Sequence, residues 1–128
     1  MRQPTTFQCA AIVAAHPDDA EILCFGTIAR LLSDGCKVHL IIVCDGNRGI
    51  SVDDQARLGI ESLSPDLRSS EVADAFKGYD VALDFLGFRD DVALCGPLIS
   101  KIESAIRACV LALAPLPAVA YDPPRPKA

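Results

Sequence analysis

The chain has 128 residues (13.6 kDa), is 51% hydrophobic and has a mean hydropathy of +0.31, which suits one packed domain and excludes an extended disordered chain. A formal net charge of −5, with Arg and Lys scattered rather than clustered, leaves no basic surface to neutralise phosphates, so nucleic acid is not an expected partner. No apolar run reaches the ~20 residues of a bilayer span, and the six cysteines lie mostly in apolar runs with no Cys-x-x-Cys pair, so the expectation is a cytoplasmic protein whose cysteines are small core hydrophobes.

In chain order, the small apolar run from Phe7 to Ala15 predicts a buried parallel strand that opens into a loop at His16-Pro17. Ile22, Leu23, Ile28, Leu31 and Leu32 recur at near-helical spacing from Ala20 to Ser33, and Gly35 follows as a stop. Lys37 to Cys44 is β-branched and apolar, a second strand, and Asp45-Gly46-Asn47-Arg48-Gly49 after it is turn chemistry. Ile50 to Pro65 is weakly periodic and predicts no regular element, whereas Asp66 to Lys77 predicts a helix with Arg68 and Glu71 in its first turn. Val81 to Leu86 reads as a short strand, Pro97 to Leu113 as a helix with Pro near its start, and Leu116 to Tyr121 as one more strand. Residues 1–121 are expected to form one domain, with 122–128 a Pro-rich tail. Alternating strands and helices imply a Rossmann-like α/β fold, a mostly parallel sheet with helices on both faces, in which ligands bind beyond the carboxyl ends of the strands.

His16, Asp18 and Asp19 fall on the first strand-to-helix loop, where such folds place ligands. An imidazole with a carboxylate three residues on can take two corners of a tetrahedral zinc site, and the second carboxylate then stays free to accept a proton from water. The plainer alternative is that Asp19 caps the helix, Asp18 complements its dipole and His16 is a surface loop residue.

The run Ala-His-Pro-Asp-Asp-Ala-Glu-Ile, set between an apolar strand and a Gly-Thr-Ile-Ala-Arg-Leu-Leu helix, resembles the signature of the LmbE-like (PIG-L) family of zinc-dependent N-deacetylases. The resemblance continues through Val-Cys-Asp-Gly-Asn-Arg-Gly, Arg68-Ser-Ser-Glu71, Phe-Leu-Gly-Phe-Arg-Asp near Asp90 and Ala-Val-Ala-Tyr-Asp-Pro, in family order over almost the whole chain. It implies that His16 and Asp19 are zinc ligands and that Asp18 is the general base for water attack on an N-acetyl carbonyl. Arg68 matches a substrate-contacting arginine, and Arg48 and Asp90 are further candidates for the substrate wall, with Arg48 also readable as part of a tight turn. The implied reaction removes acetyl from an N-acetylglucosamine-type sugar or glycoconjugate, the expected partner, in a monomer or an oligomer. Iron or cobalt also suits mixed nitrogen and oxygen ligands.

The family's third zinc ligand comes from a His-Pro-Asp-His-like motif a few residues beyond the equivalent of Tyr121-Asp122, and the sequence stops before it. His39, the other histidine, lies about five residues before the end of its strand, ~17 Å from the catalytic edge, and is expected to be structural. Asp122, Asp45 or a partner chain are the candidates to complete the coordination. The alternative to an active deacetylase is a truncated, non-catalytic form that binds a sugar or a protein.

Overall fold

The computed structural model describes residues 7–111. Its elements are β1 (Cys9–Ala14), a π-helical turn (Ala20–Cys24) running into α1 (Phe25–Ser33), β2 (Lys37–Cys44), α2 (Val52–Leu58), α3 (Pro65–Ala75), β3 (Val81–Phe88) and α4 (Gly96–Leu111). The strands form one parallel sheet in the order β1-β2-β3. The expected strand at 116–121 and the tail at 122–128 lie outside the described residues.

β2 is the central strand, and its composition follows from that place. A parallel strand covered on both faces has no polar side to show, so Lys37 and His39 at its start give way to Leu40, Ile41, Ile42, Val43 and Cys44, all buried. Val38, Leu40 and Ile42 pack with Ala14, Ala20, Ile28 of α1 and Val72 of α3, together with Phe76, in one core. On the opposite face Ile41 packs with Ala105 and Cys109 of α4, with Leu86 of β3 against them. Helices therefore cover both faces, as the α/β pattern implies. β1-α1-β2 and β2-α3-β3 step across the sheet in the same direction, and right-handed crossovers put both helices on one face. His39, within β2, pairs in register with Ala11 and Ala82, well away from the carboxyl ends of the strands.

Two local departures from the sequence expectation bear on the site. The helix read from Ala20 begins as a π-helical turn, a geometry that occurs mostly as single turns within helices and frequently at functional sites, and only becomes α-helical at Phe25. The stretch expected to be irregular contains α2. Its signals are local: the Ser51 hydroxyl accepts from Asp54 N at 3.1 Å, and Gly59 ends the helix at φ 68°, a left-handed value that favours glycine.

Ile41 and Ile42 sit back to back in β2, each sealed in a different core. Ile41→Ala and Ile42→Ala should each cost about 2–5 kcal/mol. Urea denaturation checks this as a lower midpoint at unchanged m.

Candidate functional site

The carboxyl ends of the three strands meet at one edge, and backbone hydrogen bonds hold them there. Cys44 N donates to Ala15 O at 2.9 Å, tying the end of β2 to the loop that carries His16, and Asp45 N donates to Phe88 O at 2.7 Å, tying β2 to the end of β3. The β2–β3 pairing slips near this edge: Ile42 faces Phe85 but Cys44 faces Phe88. β3 thus spends one extra residue there, and Gly87 at φ 76° allows it. The slip brings Asp90, two residues on, beside the β2–α2 loop.

Asp90 organises that loop. Its Oδ1 accepts from Gly46 N at 2.9 Å and its Oδ2 from Arg48 N at 2.8 Å, while Asp90 N donates to Asn47 Oδ1 at 2.9 Å. Asn47 is buried, and its own N–H donates to Asp45 Oδ1 at 2.9 Å. Gly46, at φ 75°, is where three segments close on each other: a Cβ there would lie 3.0 Å from both Arg68 Cγ and Pro17 Cγ. Asp45 Oδ1 accepts from Asn47 N, and its Oδ2 pairs with Arg89 Nη1 at 3.5 Å.

His16, Asp18, Asp19, Arg48, Arg68 and Asp90 all line one cavity of about 660 Å³, with Glu21 and Glu71 in its wall. Within the first loop, Asp19 does not cap the helix by its side chain. Its Oδ2 turns back to accept from His16 N at 3.0 Å and lies 3.5 Å from His16 Nδ1, so the two side chains stay together, the imidazole 44% and the carboxylate 35% exposed. Arg68 donates from Nη1 to Glu71 Oε2 at 2.7 Å and from Nη2 to Gly49 O; a guanidinium has five donors, so others remain for a ligand. Arg48 is looser, its exposed side chain only 3.5 Å from Asp91 Oδ2.

Sequence reasoning passed over two residues here. Glu21 has one carboxylate oxygen, Oε1, that is buried without a hydrogen-bond partner among the described residues, and its carboxyl is pushed above the ordinary glutamate value, first by burial and then by the charges of Asp18 and Glu71. Cys44 reads from the sequence as a core residue. It is buried, yet one donor atom each from His16, Cys44 and Asp90 lie within 4.8 Å of one another. Its apolar neighbours in sequence hide that placement.

Two predictions test this geometry. Asp90→Ala takes the acceptor from two loop amides, the part-buried one of Gly46 and the exposed one of Arg48, so hydrogen exchange at both should accelerate by about tenfold while β2 amides stay protected. Glu21 makes stability fall with rising pH: above the ordinary value of 4.5 the unfolded chain loses this proton while the folded chain still holds it, until the raised folded value is passed. With metal chelated, Glu21→Gln should match the parent in thermal melts near pH ~4 and exceed it near pH ~7.

The chain is 36% identical over 85 residues to a 1D-myo-inositol 2-acetamido-2-deoxy-alpha-D-glucopyranoside deacetylase of Segniliparus rotundus, an alignment covering 61% of the chain and 23% of that enzyme. The chain therefore spans about a quarter of the length of that relative. Its fold is similar to the crystal structure of GalB, the 4-carboxy-2-hydroxymuconate hydratase of Pseudomonas putida KT2440, with a TM-score of 0.66 at 19% identity over 80% of this chain and 44% of that one. Residues 11–123, from within β1 to beyond α4, match the family described as PIG-L: GlcNAc-PI de-N-acetylase, and the chain belongs to that family.

Proposed function

We propose that the protein takes part in hydrolytic removal of an N-acetyl group from an N-acetylglucosamine-type sugar or glycoconjugate, with a divalent metal, zinc by first choice, at the carboxyl edge of its sheet. The observation that carries this reading is the convergence of His16, Asp18, Asp19, Arg48 and Arg68 on one cavity. Family membership and the deacetylase relative support the same chemistry.

The donor set fits such an ion. His16 and Asp19 offer an imidazole nitrogen and a carboxylate oxygen 3.5 Å apart on one short loop, and both are accessible from the cavity. These two residues would be among the ligands of the metal, which when bound would polarise the acetyl carbonyl and make water more acidic. Asp19, through its hydrogen bond from His16 N, also fixes the loop conformation that presents the imidazole.

Asp18, exposed on the same loop, acts as general base: its carboxylate takes a proton from the attacking water and can return it to the leaving amine. Arg68, anchored by Glu71 and Gly49 O, offers its remaining donors to sugar hydroxyls as a fixed wall. Arg48, long and solvated, suits a hydroxyl or an anionic substituent at the cavity mouth. Asp90 shapes the substrate wall by holding the backbone of the Gly46–Arg48 turn, and its carboxylate faces the cavity from there.

The test pairs an acetate-release assay on N-acetylglucosamine-type substrates with metal analysis. Asp18→Asn should keep its metal and lose about 10²- to 10⁴-fold in rate. His16→Ala should lose the metal itself. Metal loss in the Asp18 variant with normal binding in the His16 variant would reverse the roles, and sugar binding without acetate release by the unaltered protein would favour a non-catalytic sugar-binding function.

A further inference from the structure

Three chain segments far apart in sequence deliver potential ligands to one point. His16 stands two residues beyond β1, Cys44 is the last residue of β2, and Asp90 stands two residues beyond β3. One donor atom from each lies within 4.8 Å of the other two. We infer that Cys44 is a metal ligand, forming with His16 and Asp90 a nitrogen, sulfur and oxygen donor set for a divalent ion of borderline softness. The inference rests on the reading that this edge of the sheet holds such an ion, and adds a thiolate to it.

Geometry supports the assignment on both sides of the site. Metal bonds of about 2.0 Å to nitrogen and oxygen and 2.3 Å to sulfur put tetrahedral ligands roughly 3.3–3.6 Å apart. Closure from 4.8 Å therefore needs shifts of about 1 Å, within reach of side-chain rotation with the backbone in place. All three residues are already tied, His16 by its N–H donating to Asp19 Oδ2. Cys44 N is bonded to Ala15 O, beside His16, and Asp90 is held by Gly46 and Arg48 amides and by Asn47. Each Asp90 oxygen spends one lone pair on an amide and keeps another for a ligand. Ligation replaces the S–H bond of Cys44 by a metal–sulfur bond, and the proton passes to solvent.

The chemistry separates this site from one made of His16 and Asp19 alone. Nitrogen and oxygen ligands accept hard and borderline ions alike, whereas a thiolate selects zinc, cobalt or cadmium over magnesium and calcium. The slip that sets Phe88 opposite Cys44 gives the set its third member, because it carries Asp90 to the end of β2.

Titration of the metal-free protein with Co²⁺, followed by absorption, tests the assignment. A near-ultraviolet thiolate-to-cobalt charge-transfer band should grow to one equivalent together with visible ligand-field bands. Cys44→Ser should abolish the charge-transfer band and weaken Co²⁺ binding by more than the roughly 10- to 100-fold typical of changes around a ligand. His16→Ala should abolish both sets of bands. Zinc X-ray absorption on the unaltered protein, which does not depend on how the variants fold, should give a Zn–S path of about 2.3 Å. Cobalt bound through His16 with no charge-transfer band and no Zn–S path would overturn the role of Cys44 and leave the proposed deacetylase site standing. A band that survives Cys44→Ser in folded protein would assign the thiolate to another cysteine and equally overturn it. No binding of either ion at millimolar concentration would remove both readings.

Discussion

A parallel strand sealed on both faces can express polar chemistry only at its ends, and β2 is such a strand. Leu40, Ile41 and Ile42 are essentially inaccessible, with α1 and α3 packed on one side and α4 on the other. Everything the strand contributes to a site must come from Cys44 and the turn that follows. Because β1 and β3 run parallel to β2, their loops emerge at the same edge, so the fold concentrates its loop residues there without any one loop being long.

Concentration alone does not make a site, since loops at a sheet edge can splay. Here they are tied. Asp90 reaches across from β3 to two amides of the β2–α2 turn, Cys44 N bonds the β1 loop, and Gly46, lacking a Cβ, lets Pro17 and the Arg68 stem close on the same turn. The side chains that face the cavity are then mounted on backbone that is itself hydrogen-bonded, the arrangement that preorganised binding requires. Glu21 is the electrostatic cost of this crowding. Its buried oxygen has no hydrogen-bond partner among the described residues, and burial, then Asp18 and Glu71, raise its proton affinity, so the carboxyl keeps its proton to higher pH.

The sequence by itself determined the elements whose residues face a single environment. The apolar run of β2, the Gly35 stop after α1 and the turn chemistry of Asp45 to Gly49 each depend on neighbours in sequence, because strand burial and turn conformation are set over a few residues. The motif from His16 to Glu21 was legible for the same reason: ligand-bearing side chains and the loop that holds them are contiguous. α2 was also written locally, in Ser51, Asp54 and Gly59, but its weak apolar period concealed it.

Only the tertiary structure decided where the segments meet. That Asp90 holds the turn at Gly46 and comes near Cys44 follows from the β2–β3 slip near Gly87, while Asp45 pairs with Arg89 and Cys44 N bonds the loop that carries His16. In sequence Cys44 is indistinguishable from any small apolar residue closing a buried strand. A one-residue change in register moves a side chain to the other face of a sheet, and no local pattern reports which register the packed strands adopt.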